Sequence, residues 1–364
     1  MRTLSERRKQ FNKEFTLQNE YYSLRHILGY ANWAIFYILL GGREAGKSYS
    51  VTDFFCRQYI KKGIPFTWMR LTERAAQKLL QNNAEKLVDP DLRRKWGLDL
   101  VTSGNNVYHV TKRSAPDKNG KTKIVEKKLF ARVYAISTFY NDKGSIYDKD
   151  FLNDENMRYN IAIDEFERES GEKNTFDITY SLVNQLENLV RSTKERVKIF
   201  FLGNTLESAS DILCAFGFIP ESWGIFKLKS KRCVIENIEP TEAYKKRRKG
   251  TIADILLPTA STFTNKIDAD NTLIDKSPLI KPSYIIKFTR NDKDWFTVWN
   301  KNIIAQWSGQ KAQVVAMRPY LDEVFQPELQ KTVITTFDTR SYSFKDLITF
   351  KRFQNALELL KPRQ

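Results

Sequence analysis

Histidine occurs only twice in the 364 residues, as His26 and His109, and cysteine three times, as Cys56, Cys214 and Cys233, with no Cys-x-x-Cys spacing. That supply disfavours a zinc cluster, a disulfide framework and most histidine-based nucleophilic triads. No apolar run approaches the roughly 20 residues of a membrane span. The opening stretch MRTLSERRKQFNKEF is charged throughout, with no apolar signal core behind it. The expectation is a soluble, unsecreted chain with no membrane partner. Acids are also in short supply: 43 Asp and Glu face 60 Lys and Arg, a net charge of +17. Such an excess calls for a polyanionic partner.

What is present is an alternation of strand and helix signals on a chain long enough for two domains. WAIFYILL (33–40) is an aromatic-rich apolar run that ends at a Gly-Gly pair, the pattern of a central strand in a parallel sheet. A helix is expected from near Gly46, then a strand in IPFTWMRL (64–71). An amphipathic helix follows over 73–87, with Ala76, Leu79, Leu80, Ala84 and Leu87 at helical spacing. Two β-rich runs around SAPDKNG predict a basic hairpin inserted at 106–136. The rhythm resumes with the strand YNIAID, a helix from about Glu172 to Thr193 and the strand VKIFFLGN (197–204). The fold class predicted is therefore α/β, a mainly parallel sheet in residues 1–230. A basic lid or linker is expected at 231–258. A small α+β domain is expected over 259–364, with strands in PSYIIKF, DWFTVWN, IIAQW and KTVITTF and a closing helix from about Phe344 to Leu360.

GGREAGKS at 41–48 fits G-x-x-x-x-G-K-S/T, the P-loop spacing. Glycines let successive backbone N–H groups curl around phosphates at a helix N-terminus, Lys47 reaches the β and γ oxygens, and the Ser48 hydroxyl ligates Mg²⁺. The candidate ATP-binding residues are Gly41, Gly42, Arg43, Glu44, Ala45, Gly46, Lys47, Ser48 and Tyr49, with Arg43 placed to sense the nucleotide. In IAIDEFERE a strand ends in Asp164 and Glu165. Asp164 is the expected Walker B carboxylate that holds Mg²⁺ with Ser48, and Glu165 the expected base for the attacking water. A glutamate directly after the Walker B aspartate, with a further strand later in the chain, is the arrangement of additional-strand catalytic-glutamate ATPases of RecA-like fold. In that arrangement the VKIFFLGN strand lies between the P-loop and Walker B strands, and Asn204 at its tip faces the γ-phosphate as a sensor. The required cofactors are ATP and Mg²⁺.

These motifs, together with Lys143-Gly144 shortly before Walker B, FFLGNT, and the later KKRRKGTIADILLPTASTF, resemble the genome-packaging ATPases of small protein-primed tailed bacteriophages. More distantly the chain is similar to large terminase subunits. The resemblance is specific over about 35–210 and weaker over 240–275. It implies a ring-forming motor, usually a pentamer, that docks on the portal of an empty prohead in the host-cell cytoplasm and drives double-stranded DNA inward with ATP. The portal, with a structural RNA, is an implied partner. The resemblance also places Arg191 where an arginine acts on the neighbouring subunit's nucleotide, with Arg196 next in line. Arg70 and Arg74, flanking the second strand's tip, are weaker candidates for intersubunit or phosphate contact.

Two basic windows stand out. Residues 112–128 hold seven bases against two acids, and 225–249 hold nine against three. DNA contacts are assigned to Lys121, Lys123, Lys127 and Lys128 in the first window, and to Lys143. Without a helix-turn-helix or finger motif, binding should be directed at the phosphate backbone. The C-terminal domain is read as a degenerate RNase H-like nucleic-acid domain or a portal- or RNA-binding one. Nuclease activity is not expected, because Asp338 lies close to the chain end and Asp268, Asp270, Asp292 and Asp294 sit in turn-like segments. Two alternatives to a packaging motor stay open: a helicase- or repair-type DNA-dependent ATPase, and an assembly protein that uses nucleotide only as a switch. An intact Glu165 weighs against the switch.

Overall fold

The computed structural model describes residues 21–116, 122–138, 158–166, 178–190, 196–204, 210–256, 273–287, 295–306 and 342–358. The chain divides into two units. One comprises Met1–Leu206 and Ser222–Lys266, the other Glu207–Glu221 and Ile267–Gln364.

In the first unit the apolar runs form the centre of a nine-stranded sheet of order β3-β4-β5-β2-β6-β7-β1-β9-β8. Its strands are β1 (Phe36–Leu40), β2 (Phe66–Arg70), β3 (Leu100–Ser103), β4 (Asn106–Arg113), β5 (Ile124–Ala135), β6 (Tyr159–Asp164), β7 (Val197–Gly203), β8 (Gly224–Leu228) and β9 (Cys233–Asn237). From β5 through β2, β6, β7 and β1 to β9 every pairing is parallel. These strands are covered on both faces, which is why they read as unbroken apolar runs rather than alternating ones. β6 is buried at all six positions and β7 at all but one. The extra strand β7 lies between the P-loop strand and the Walker B strand, as expected. Register matters for function: Leu40 is opposite Gly203, and Asp164 opposite Leu202. The strands β1, β6 and β7 therefore end level with one another.

The helices of this unit are α1 (Arg25–Tyr30), α2 (Lys47–Lys62), α3 (Glu73–Ala84), α4 (Pro90–Trp96), α5 (Ile178–Val190), α7 (Glu242–Arg248) and α8 (Ile252–Leu256). The Thr72 side chain caps α3, and Asp89, followed by Pro90, caps α4, as helix-start chemistry predicts. Phe55 on α2 fixes this helix to the sheet. Its ring lies 4.8 Å from that of Phe66 and 5.5 Å from that of Phe200, and Phe66 in turn meets Phe130 at 5.1 Å. Fully buried aromatics at these separations form the heart of the core. The long helix expected around 172–193 is present as α5; 172–177 and 191–193 lie outside the described residues.

The hairpin of β4 and β5 matches the basic insertion expected at 106–136. It is also part of the sheet, since Ala131–Ala135 of β5 pair with β2. The first half of β5 pairs only with β4, and its residues Ile124–Lys128 are exposed. That half projects beyond the sheet by roughly 17 Å, five residues at about 3.3 Å each.

The expected linker at 231–258 is corrected. Cys233–Asn237 is a wholly buried strand paired with β1, and α7 follows within the same unit. The break instead falls earlier and later. The short helix α6 (Asp211–Phe216) belongs to the second unit, where Asn355 Nδ2 donates to Asp211 Oδ1 at 2.8 Å. There β10 (Pro282–Lys287), β11 (Trp295–Trp299), β12 (Ile303–Gln306) and β13 (Ser343–Phe344) form a four-stranded sheet backed by α9 (Leu347–Glu358). Phe296, Phe344 and Phe353 centre its core. The strand expected in KTVITTF lies outside the described residues.

Candidate active site

The P-loop connects the buried strand β1 to α2 through backbone that few residues tolerate. Gly46 has φ 95°, and a Cβ there would lie 3.0 Å from the Tyr21 Cβ; glycine is required on both counts. Lys47 begins α2, buried, and its Nζ donates to the carbonyl oxygens of Gly41 and Gly42 at 2.7 and 2.9 Å. The ammonium is thus folded back into the loop that it would share with phosphate oxygens. Burial pulls its pKa down to about 8, against the opposing effect of the Asp164 and Glu165 carboxylates.

Asp164 ends β6 beside this loop. Ser48 Oγ donates to its Oδ1 at 3.5 Å, and Arg70 Nη2 lies 2.9 Å from its Oδ2. Burial raises the Asp164 pKa, Arg70 and Lys47 oppose this, and Glu165 reinforces it. Glu165 turns away from the strand with φ 53°, its N–H donating to Leu202 O on β7 at 3.0 Å. Its carboxylate is more than half exposed and ion-paired with Arg70. Left-handed backbone at a glutamate costs energy and recurs at functional sites. Asn204 joins Lys47, Ser48, Asp164 and Glu165 around a cleft of about 740 Å³. Of the sequence-predicted site residues, Arg43, Glu44, Ala45, Gly46 and Tyr49 line the same cleft. Arg191, Lys121 and Lys143 lie outside the described residues.

The donor set fits a magnesium nucleotide. A hydroxyl and a carboxylate converge where the ion would sit, and a lysine and a helix N-terminus face the phosphates. Among the described residues no group of three His, Cys, Asp or Glu side chains could hold a metal, and a P-loop site, which uses one carboxylate, one hydroxyl and the phosphates, needs none.

Three features escaped sequence reasoning. Arg70 had been assigned to phosphate or a neighbour, yet it bridges both acidic residues of its own site. A strap from the N-terminal side holds the P-loop from outside. Tyr22 N–H donates to Ala45 O at 2.8 Å, Tyr22 OH donates to Glu236 Oε2 at 2.7 Å, and His26 Nε2 lies 2.6 Å from Glu236 Oε1. Burial lowers the His26 pKa, but Glu236 and the Ser23 carbonyl outweigh it and the net shift is upward. Third, the basic window at 225–249 is largely engaged. Tyr244 OH donates to Arg43 O at 2.9 Å, Arg247 Nη2 to Glu44 O at 2.9 Å, and Arg248 pairs with Glu44 at 2.6 Å. Lys227 sits 3.8 Å above the Tyr30 ring.

The 112–128 window is left more open. Arg113 pairs with Asp99, and Lys128 is 3.9 Å from Glu126. Lys112, Lys123, Lys127 and Lys128 are all exposed on the projecting hairpin. No helix among the described residues is long and apolar enough to cross a membrane.

The depressed lysine makes nucleotide binding pH-dependent. Phosphate oxygens favour the ammonium, so binding takes up a proton above the free-state pKa. ADP affinity measured by titration should be flat below pH 7 and fall above about pH 8, approaching tenfold per unit. Lys47→Met should abolish the slope, and an unchanged slope would contradict the assignment.

No protein-family model matches the chain, and no curated protein matches it in sequence. Solved structures do match. The viral genome packaging motor assembly of bacteriophage phi29 aligns over 94% of this chain and 99% of its own, at 17% identity and a TM-score of 0.59. The DNA packaging motor protein of phage phi28 aligns over 95% and 100%, at 13% identity and a TM-score of 0.56. The chain accordingly has the fold of these packaging-motor proteins, a mainly parallel α/β sheet that carries a P-loop, together with a smaller second unit.

Proposed function

We propose that this chain is an ATP-driven motor that moves double-stranded DNA into a preformed viral prohead. The observation that carries the reading is the convergence of Lys47, Ser48, Asp164 and Glu165 at level strand tips, in a chain whose fold follows that of the phi29 motor along nearly its whole length.

In the proposed cycle Lys47 turns from the Gly41 and Gly42 carbonyls to the terminal phosphates, and the start of α2 offers its backbone N–H groups to them. Ser48 and Asp164 would hold Mg²⁺, which would supply charge neutralisation for the β and γ oxygens. Glu165 leaves Arg70 and takes the proton of the attacking water. Asn204 reads the γ-phosphate position from the tip of β7. Arg191 completes a neighbouring copy's site in a ring, where guanidinium stabilises the transferring phosphoryl group. Lys121, Lys123, Lys127, Lys128 and Lys143 hold the DNA backbone without reading sequence, because a translocase must grip every successive base pair. A pentameric ring, a portal and a structural RNA are the assembly that the sequence resemblance to phage packaging ATPases implies, with the host cytoplasm as its place of work.

Two substitutions separate the roles. Glu165→Gln should bind ATP normally yet lose turnover by about 10²- to 10⁴-fold, the usual loss for a missing general base. Lys47→Ala should lose affinity first. Near-normal hydrolysis by Glu165→Gln, with binding intact, would remove the glutamate from its role.

The hairpin is tested by salt. Log affinity for duplex DNA should fall linearly with log salt, and alanine at Lys121, Lys123, Lys127 and Lys128 should flatten the slope by about 0.9 per lost phosphate contact. Sequence preference should not change. An unaltered slope would place the DNA surface elsewhere.

A further inference from the structure

The cleft extends past the P-loop, running between α2 and the α3–α4 segment toward β2. Its inner wall carries two buried donors without acceptors, Trp68 Nε1 and Arg70 Nε. Trp68 is only 2% exposed. The two residues lie two apart on β2, so their side chains share a face, and their Cα atoms are about 6.6 Å apart. A buried donor left unsatisfied is costly. Leu79, Leu87 and Leu92 beside them offer no acceptor, and neither donor is bonded to the polar lining groups, Thr52 among them. What enters the cleft can supply the acceptor.

We propose that the inner end of this cleft is a binding site for inorganic phosphate, the product released by the hydrolysis proposed above, on which this inference rests. Two oxygens of one tetrahedral anion, each about 2.9 Å from its donor, can bridge Trp68 Nε1 and Arg70 Nε. Arg70 suits this because its Nη atoms are already on Asp164 and Glu165 while Nε is not. The anion then stands one step from the γ-phosphate position, clear of the nucleotide. Glu85 and Asp89 line the mouth with Lys86 between them, a net negative charge that disfavours retention of a bound anion. The mouth is rigidly shaped: Asn82, Asn83 and Ala84 hold left-handed φ of 50°, 56° and 64°, and Arg93 donates to Asn83 O at 2.7 Å and Val88 O at 3.0 Å. Three successive such residues are costly, and they break α3 at its end, just before the stretch that carries Glu85 and Asp89.

The test measures phosphate binding directly, by ³¹P line broadening, to the chain alone and to the chain saturated with ADP, whose own phosphates fill the P-loop. Trp68→Phe keeps the ring and removes the N–H. It should weaken phosphate binding about tenfold while ADP affinity stays within about twofold. The double variant Glu85→Gln/Asp89→Asn should act oppositely, tightening phosphate severalfold and slowing its release in a single turnover followed with a fluorescent phosphate sensor. It remains decisive if Trp68→Phe fails to fold. Phosphate affinity and release unaltered in the folded variants would overturn the proposal. Failure of the native chain to bind ADP at all would instead overturn the nucleotide reading, and the difference in phosphate binding between the native chain and Trp68→Phe would still decide this one.

Discussion

A carboxylate buried at the tip of β6 is the constraint around which the first unit is organised. Asp164 is 6% exposed, and burial pushes its pKa upward, against the charged form. Two cations oppose that. Arg70 reaches it from the neighbouring strand, and Lys47 contributes its charge from the P-loop. Each cation exacts its own condition. Lys47 is buried too, so the loop must present the Gly41 and Gly42 carbonyls to its ammonium, and that bend requires glycine. Arg70 must stand level with Asp164, which the parallel pairing of β2 with β6 provides. The charges offset one another only while those strands keep register, so the site and the sheet are specified together. A bound magnesium nucleotide would redistribute this balance rather than create it.

Around that centre the fold adds a collar. The strap at Tyr22 and His26 closes on Glu236, and α7 closes on Arg43 and Glu44. The second of these elements comes from a basic segment, as does the hairpin of β4 and β5, which shows how one composition serves two ends. At 242–249 the arginines hold the phosphate loop in shape. On the projecting hairpin the lysines face solvent. A +17 excess therefore does not translate directly into +17 of surface for a polyanion. Part of the open excess lies along one ribbon, a geometry that suits contact with successive backbone phosphates.

The centre of the sheet was legible because parallel strands buried on both faces leave apolar runs that little else produces; Tyr159–Asp164 has its expected limits, and Phe36–Leu40 and Val197–Gly203 fall within three residues of theirs. The chemistry of the P-loop and of the acidic pair was legible for a different reason: short spacing encodes it locally. What failed was whatever depends on distant partners. Cys233–Asn237 reads as part of a charged linker because Glu236 interrupts its apolar run, and that glutamate makes sense only beside His26, 210 positions away. Arg70 could be singled out as a strand-tip arginine, but its pairing with both acids needs the register between β2 and β6. The division into units was missed likewise, since 207–221 crosses into the second unit through a contact with Asn355.

The central claim is that nucleotide hydrolysis at this site does mechanical work on duplex DNA. The most direct measurement supplies the purified chain, proheads and double-stranded DNA with ATP, and reads the DNA that becomes protected from added nuclease. The account predicts protection that requires ATP, stops with a non-hydrolysable analogue, and is accompanied by ATP turnover that duplex DNA stimulates and proheads stimulate further. Turnover driven by single-stranded DNA, with no protected duplex, would contradict it and point to an unwinding enzyme on the same fold.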